Sequence, residues 1–207
     1  MDAPDHHFLC ASANTPPTRA PSSCFGRPQT RPLPCAGGEV EITTRVSAHA
    51  FPFSDVIHIH LVRHGTAGRR TEAPNDIERP LDANGQRQAD AIAEALAGCG
   101  AETVVSSPAT RCRQTIAPLA KGLGVPVEIN GTLWEAQDPR ATLALVRRFA
   151  GAGSPAVICS HGAIIPPVLQ ALAEGGVGID DTAAAKGSVW TFTAAAGAIT
   201  SARYRRF

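Results

Sequence analysis

The chain has 207 residues, 43% of them apolar, and its 19 Lys and Arg against 18 Asp and Glu leave a formal net charge of +1. That length suits one ordinary domain, or one domain with a tail. The balanced charge excludes a global field that would draw the chain to nucleic acid or acidic lipid, and no apolar run is long enough to span a bilayer. The first residues lack a charged segment followed by an apolar core, so no secretory signal is expected. Cys10, Cys24, Cys35, Cys99, Cys112 and Cys159 form no Cys-x-x-Cys pair and have no zinc-ligand spacing. They are expected to be free thiols in a reducing cytoplasm.

Residues 1–53 differ from the rest. Prolines recur at Pro4, Pro16, Pro17, Pro21, Pro28, Pro32 and Pro34, with Ser, Thr and Arg between them. Such a stretch has too little periodic apolar surface to offset its ordering entropy, which predicts a disordered tail. Within it, Glu39 to Val46 has the composition of a short strand. Residues 54–207 are expected to form the folded domain.

From Val56 onward strands and helices alternate. Val56 to Val62 reads as a buried strand that ends at Arg63-His64-Gly65. A charged loop follows through Arg69, Arg70, Glu72 and Asp76. Ala83 to Cys99 is predicted helical, with Asp82 as its cap and Gly98 and Gly100 ending it. Thr103 to Ser106 is a short strand. Pro108 to Gly122 is a second predicted helix, capped by Ser107, and Pro118 inside it predicts a kink or break. Val125 to Ile129 is a strand. Asp138-Pro139 opens a third helix carrying Leu143, Leu145, Val146 and Phe149.

Ala156 to Cys159 is an apolar strand that ends at Ser160-His161-Gly162. The helix after it must hold Pro166 and Pro167 in its first turn. Two strands close the chain, Val189 to Thr193 and Ile199 to Tyr204, joined by a turn at Gly197. This order predicts an α/β fold, a three-layer α/β/α sandwich with a mainly parallel sheet. The terminal Arg203, Arg205 and Arg206 read as a solvated basic end.

Three strand-to-loop junctions carry polar residues that can converge at one edge of a parallel sheet, where ligands of open α/β sheets bind. They are Arg63-His64, Ser107-Pro108 with Arg111 in the following helix, and His161. Arginine suits an oxyanion because its planar fork meets phosphate or carboxylate bidentately. Histidine beside it can serve as nucleophile or as acid–base. Two arginines, two histidines and helix N-termini make a positive pocket suited to a phosphoryl group. No Cys/His/Asp cluster suggests a metal, so charge neutralisation is assigned to these side chains, and no cofactor is expected.

Arg63-His64-Gly65, Ser107-Pro108 with Arg111, and Ser160-His161-Gly162 together resemble the histidine phosphatase superfamily, also called phosphoglycerate mutase-like. The resemblance runs from about residue 56 to the end of the chain. It implies the phosphoglycerate mutase-like fold and a hydrolase that works through a phosphohistidine intermediate. Carried to this chain, His64 is the nucleophile, and Arg63, Arg111 and His161 hold the phosphate oxygens. Glu135, in Leu133-Trp134-Glu135, takes the place of the family's proton donor. Asp138 lies close by, and a helix cap before Pro139 is the preferred reading for it.

Other residues carry weaker signals. Thr66 is placed to donate to phosphate from the turn, or to serve the turn alone. Arg69 and Arg70 flank the mouth, where a polyphosphate or plain solvent would meet them. His58 and His60 alternate with Ile57 and Ile59 and read as sheet-face residues. Cys112 and Cys159 are expected near the pocket but packed. Lys186-Gly187-Ser188 reads as a turn that could reach substrate.

The stretch between Arg111 and His161 is short for the superfamily, which implies an open pocket. Arg79-Pro80-Leu81 resembles the small phosphohistidine phosphatases. Continued through Asp82, and joined by Val157-Ile158-Cys159, Ile165-Pro166 and Lys186-Gly187-Ser188 with Trp190, it resembles the phosphatase half of fused Nudix–phosphatase proteins. No Nudix box is present, so a stand-alone domain is expected. The expected partner is a phosphorylated small molecule, such as a nucleotide, or a phosphohistidine protein, with no nucleic acid and no membrane. A non-catalytic phosphate-binding module on the same fold is the alternative.

Overall fold

The computed structural model describes residues 56–207, apart from residue 180. The predicted tail, its short strand and its boundary with the domain lie outside the described residues. Six strands form one mixed sheet in the order β3-β2-β4-β1-β5-β6. In chain order they are β1 (Ile57–Arg63), β2 (Thr103–Ser106), β3 (Val127–Ile129), β4 (Ala156–Ser160), β5 (Ser188–Ala195) and β6 (Ala198–Arg206). The first four are mutually parallel, while β5 runs antiparallel to β1 and β6 antiparallel to β5.

Side chains alternate across β1. Ile57, Ile59 and Leu61 enter one apolar core, whereas Val62 enters a second. Four helices close these cores: α1 (Ala83–Ala95), α2 (Thr110–Leu123), α3 (Pro139–Ala152) and α4 (Ile165–Glu174). Leu145, Val146 and Phe149 of α3 and Val168, Leu169 and Leu172 of α4 fill the first core, while Ile92 of α1 and Ile116 and Leu119 of α2 fill the second. The expected three layers follow, because the central strands β2 and β4 bury both of their faces. No described helix is long and apolar enough to cross a membrane.

Local rules set most element ends. Asp82 caps α1 by accepting from the Gly85 amide at 2.8 Å, and Asp138 caps α3 by accepting from the Arg140 amide at 2.9 Å. The two-residue turn between β5 and β6 places Ala196 and Gly197 at φ 50° and 79°, the mirror-image turn that matches strand twist.

Three expectations need correction. Helix α1 stops at Ala95 instead of Cys99, and the chain turns through Leu96 before reaching Gly98. Helix α2 begins at Thr110, with an extended Ala109 before it, so neither Ser107 nor Pro108 opens it. Residues before proline are held extended, and Ser107 is thereby freed to turn inward. Pro118 does not break α2, which continues to Leu123. The hydrogen bond lost there lies on a half-exposed flank, since Gln114 and Pro118 are only partly buried while Thr115, Ile116 and Leu119 anchor the helix.

Candidate active site

Strand register brings the predicted residues to one sheet edge. Arg63 pairs with Ser160, and Ser106 pairs with Cys159. The residues that follow, His64, Ser107 and His161, therefore leave the sheet side by side. The His64 amide donates to Ser160 O at 3.1 Å and the Ser107 amide to Cys159 O at 3.0 Å, which extends the sheet bonding into the loops. Antiparallel β5 begins at the same edge, where Val62 pairs with Val189.

His64 is 5% exposed, and its Nδ1 lies 2.7 Å from Gly65 O. A carbonyl only accepts, so Nδ1 carries the proton and Nε2 keeps its lone pair. Arg111 Nε donates to that Nε2 at 3.3 Å. Burial pushes the His64 pKa from 6.5 down to about 4, against the raising effect of its bond to Gly65 O, and Arg111, Arg63 and Arg79 push it in the same direction. His64 is thus a neutral base at physiological pH, with its free nitrogen facing a guanidinium. His161, fully buried, has its ring centroid 5.2 Å from that of His64. Burial, then His64 and Arg111, lower its pKa to about 3.

Arg111 is fully buried, and a buried charge is tolerable only when paired. Its Nη1 donates to Asp76 O at 2.6 Å, and its Nη2 lies 3.0 Å from Asp76 Oδ2 and 3.2 Å from Glu135 Oε2. Trp134 walls the group, its ring centroid 5.3 Å from the Arg111 guanidinium carbon and 5.1 Å from that of the His161 ring. Glu135 Oε2 also lies 3.4 Å from His161 Nδ1. Two carboxylates therefore meet the cations that a phosphoryl group would meet.

Asp76 went unrecognised in the sequence, where it read as part of a polar loop. It sits three residues before Arg79, whose Nε donates to its Oδ1 at 3.0 Å, and Arg70 lies 3.4 Å from the same oxygen. Burial alone would raise the Asp76 pKa, but Arg111, Arg79 and Arg70 outweigh it and hold the group below the usual carboxylate range. The Asp–Arg pair three apart beside Arg79-Pro80-Leu81 was the available signal, and only the fold links it to Arg111. Asp138 stands at the exposed start of α3, its carboxylate bound by Arg140, as its cap role requires.

Arg63 Nη1 donates to Ala184 O, while its buried Nε has no hydrogen-bond partner among the described residues. The guanidinium crosses Gly162 so closely that a Cβ there would lie 2.5 Å from Arg63 Cζ. Thr66 donates from its amide and hydroxyl to Gln88 Oε1, at 2.8 and 3.1 Å, and accepts from Asn84 Nδ2 at 3.1 Å. These bonds tie Thr66 into the turn. Gln88 Nε2 in turn donates to Lys186 O and Phe207 O, both at 3.0 Å, so one buried amide joins three loops. Sequence reasoning passed over Gln88, which reads as an ordinary helix residue.

The structure thus gathers Arg63, His64, Arg111, His161 and Glu135 around one spot, with Thr66 in the supporting turn. Cys112 and Cys159 are fully buried free thiols, and Cys112 Sγ lies 3.5 Å from His161 Nε2. Among the described residues no group of three or more His, Cys, Asp or Glu is placed to hold a metal ion.

Residues 59–138 match the model of the histidine phosphatase superfamily (branch 1). That stretch belongs to the histidine phosphatase superfamily. The chain is 36% identical over 155 residues to an 8-oxo-(d)GTP phosphatase of Mycolicibacterium smegmatis, in a match that takes in 72% of this chain and 48% of that protein. It therefore spans about half the length of that relative. Among solved structures it resembles a protein histidine phosphatase SixA, solved with tungstate, at TM-score 0.57 and 22% identity, covering 72% of this chain and 94% of the other. A mycobacterial glucosyl-3-phosphoglycerate phosphatase matches at TM-score 0.53 and 15% identity, covering 73% and 98%. At these identities the likeness is one of fold, and it is the phosphoglycerate mutase-like α/β fold expected.

Proposed function

We propose that this chain is a phosphatase that hydrolyses a phosphate ester or anhydride through a phosphohistidine at His64. The observation that carries this reading is the His64 ring itself. It is neutral, its Nδ1–H is committed to Gly65 O, and its Nε2 lone pair faces Arg111. In this reading Nε2 attacks phosphorus in line, and Arg63, Arg111 and His161 bind the phosphoryl oxygens and neutralise their charge. Glu135 protonates the leaving oxygen, and its carboxylate then activates the water that hydrolyses the phosphohistidine. Asp76 is the poorer acid, because three arginines keep it ionised. The Thr66 hydroxyl is committed to Gln88, so its part is to hold the turn.

For the substrate we favour a nucleotide phosphate, supported by 36% identity to a protein named for a nucleotide. Arg79-Pro80-Leu81 supports a second reading, a phosphohistidine carried on a protein. The three described free thiols fit a reducing compartment such as the cytoplasm.

A phosphatase screen over nucleotides, sugar phosphates and phosphohistidine protein, run beside His64→Ala, tests the proposal. Turnover should drop more than about 10³-fold in the variant, as when a covalent nucleophile is removed. Acid-labile, base-stable phosphate should be trapped on His64 of the wild type. Binding of inorganic phosphate without turnover of any substrate would make the chain a phosphate-binding module instead.

A further inference from the structure

A buried arginine can be oriented by neutral acceptors, so a carboxylate beside it can add charge without adding position. The Asp76 main-chain carbonyl accepts from Arg111 Nη1 at 2.6 Å, and His64 Nε2 accepts from Arg111 Nε at 3.3 Å. Arg111 Nη2 donates to His161 Nδ1 at 3.3 Å and lies 3.2 Å from Glu135 Oε2. Asp76 Oδ2 is 3.0 Å from the same Nη2, yet this buried oxygen has no hydrogen-bond partner among the described residues. Its contact with Arg111 is one of charge, without an aligned hydrogen bond. We propose that the Asp76 carboxylate is a permanent counter-anion of the phosphoryl seat, which weakens the hold of the site on inorganic phosphate and so lets the product leave. This role rests on the phosphatase reading above.

A phosphoryl group beside His64 and His161 takes Arg111 at Nε and Nη2, the two nitrogens that face those rings. It therefore shares Nη2 with Asp76 Oδ2. Two contacts of about 3 Å through one atom leave the two anions no more than about 6 Å apart, where like charges repel. The same carboxylate offsets two further cations. Arg79 Nε donates to its Oδ1 at 3.0 Å, and Arg70 Nε lies 3.4 Å from that oxygen. Together with Arg63 and Arg111 those cations would otherwise build a strongly positive seat and retain a phosphate ion. Glu135 cannot oppose this at the end of the cycle. In the phosphatase reading it has by then taken a proton from the attacking water, and its charge is gone. Asp76 stays ionised throughout, because Arg111, Arg79 and Arg70 hold its pKa down. When phosphate forms, Asp76 is thus the negative side chain still facing it across Arg111.

The test titrates the full chain calorimetrically with inorganic phosphate at neutral pH and low salt, beside Asp76→Asn. That variant loses the charge and keeps the main-chain carbonyl that Arg111 uses. It should bind phosphate about 10-fold more tightly, the effect of one close charge. Added phosphate should also inhibit its turnover of p-nitrophenyl phosphate at a correspondingly lower concentration. Unchanged or weaker phosphate binding overturns the proposal, and weaker binding is what a bracing role for the carboxylate predicts. Asp90→Asn removes an exposed carboxylate of α1 and should leave phosphate affinity unchanged, because a surface charge is screened. An equal gain in Asp90→Asn overturns the proposal by making the effect one of net charge. If Asp76→Asn fails to fold, Asp76→Ser carries the same expectation. Absence of phosphate binding in both wild type and variant overturns it too. Tighter binding in Asp76→Asn, in a chain that turns over no phosphate ester or anhydride, would sink the phosphatase reading and leave the effect of Asp76 on anion affinity standing.

Discussion

Among the described residues three imidazoles are buried, and each is held neutral by its surroundings. Burial, aided by His58, lowers His60 to about 4, and burial with the nearby cations lowers His64 to about 4 and His161 to about 3, from an ordinary 6.5. Between the folded and unfolded values the unfolded chain binds protons that the folded chain refuses. Stability from these groups is therefore complete above about pH 6.5 and is lost as pH falls toward about 4. Urea midpoints measured from pH 8 to pH 4.5 should be flat at first and then decline below pH 6.5. A rise in stability on acidification would contradict the buried neutral state. Glu135 is tested by leaving group. An alkyl phosphate needs a proton as its bond breaks, an activated aryl ester much less, and a phosphoanhydride falls between. Glu135→Gln should thus slow an alkyl phosphate by about 10²-fold or more and p-nitrophenyl phosphate much less. Equal losses across the series would remove Glu135 from the mechanism.

The elements meet at glycines. The turn after β1 passes over the N-terminus of α1 so closely that a Cβ on Gly85 would lie 2.0 Å from Thr66 O, and one on Gly65 2.9 Å from Gly85 O. No side chain can yield there, because both atoms are backbone. Gly85→Ala should cost about 1–3 kcal/mol, the usual range for overpacking, and should depress turnover by moving the turn that carries His64. Gly98→Ala is the control. A Cβ there meets nothing within 4 Å, and it should leave both the urea midpoint and turnover unchanged. Equal tolerance of the two substitutions would mean that the turn can shift without harm to the site. Helix α2 makes a related point. Its Arg111, Thr115, Ile116 and Leu119 are buried, and that packing outweighs the break expected at Pro118.

Across the whole molecule, both apolar cores and every proposed catalytic side chain lie between Ile57 and Phe207. Gln88 ties the chain end into this unit, since Phe207 O accepts from the same amide that holds Thr66. A chain that starts at Ser54 should therefore fold, stay monodisperse and retain the turnover of the full chain. Its circular dichroism and its activity on the substrate found in the screen are the measurements. Loss of folding would show that residues 1–53 belong to the domain.

Local physical rules made much of this protein readable before its structure. Strand β1 shows its alternation in Ile57, Ile59 and Leu61, Asp82 and Asp138 announce the helices they cap, and Gly197 marks the final hairpin. The site residues His64, Arg63, Arg111 and His161 were legible because they stand at strand ends or in the first turn after one, where a parallel sheet gathers its loops. What the sequence left open depends on pairs far apart in the chain. Arg111 and Asp76 are 35 positions apart, Ser107 and His161 are 54 apart, and Gln88 and Phe207 are 119 apart. No local period or capping rule encodes such contacts. Sheet register decides the contact of Ser107 with His161, by levelling Arg63 with Ser160 and Ser106 with Cys159, and the Gly65 carbonyl fixes which nitrogen of His64 is free.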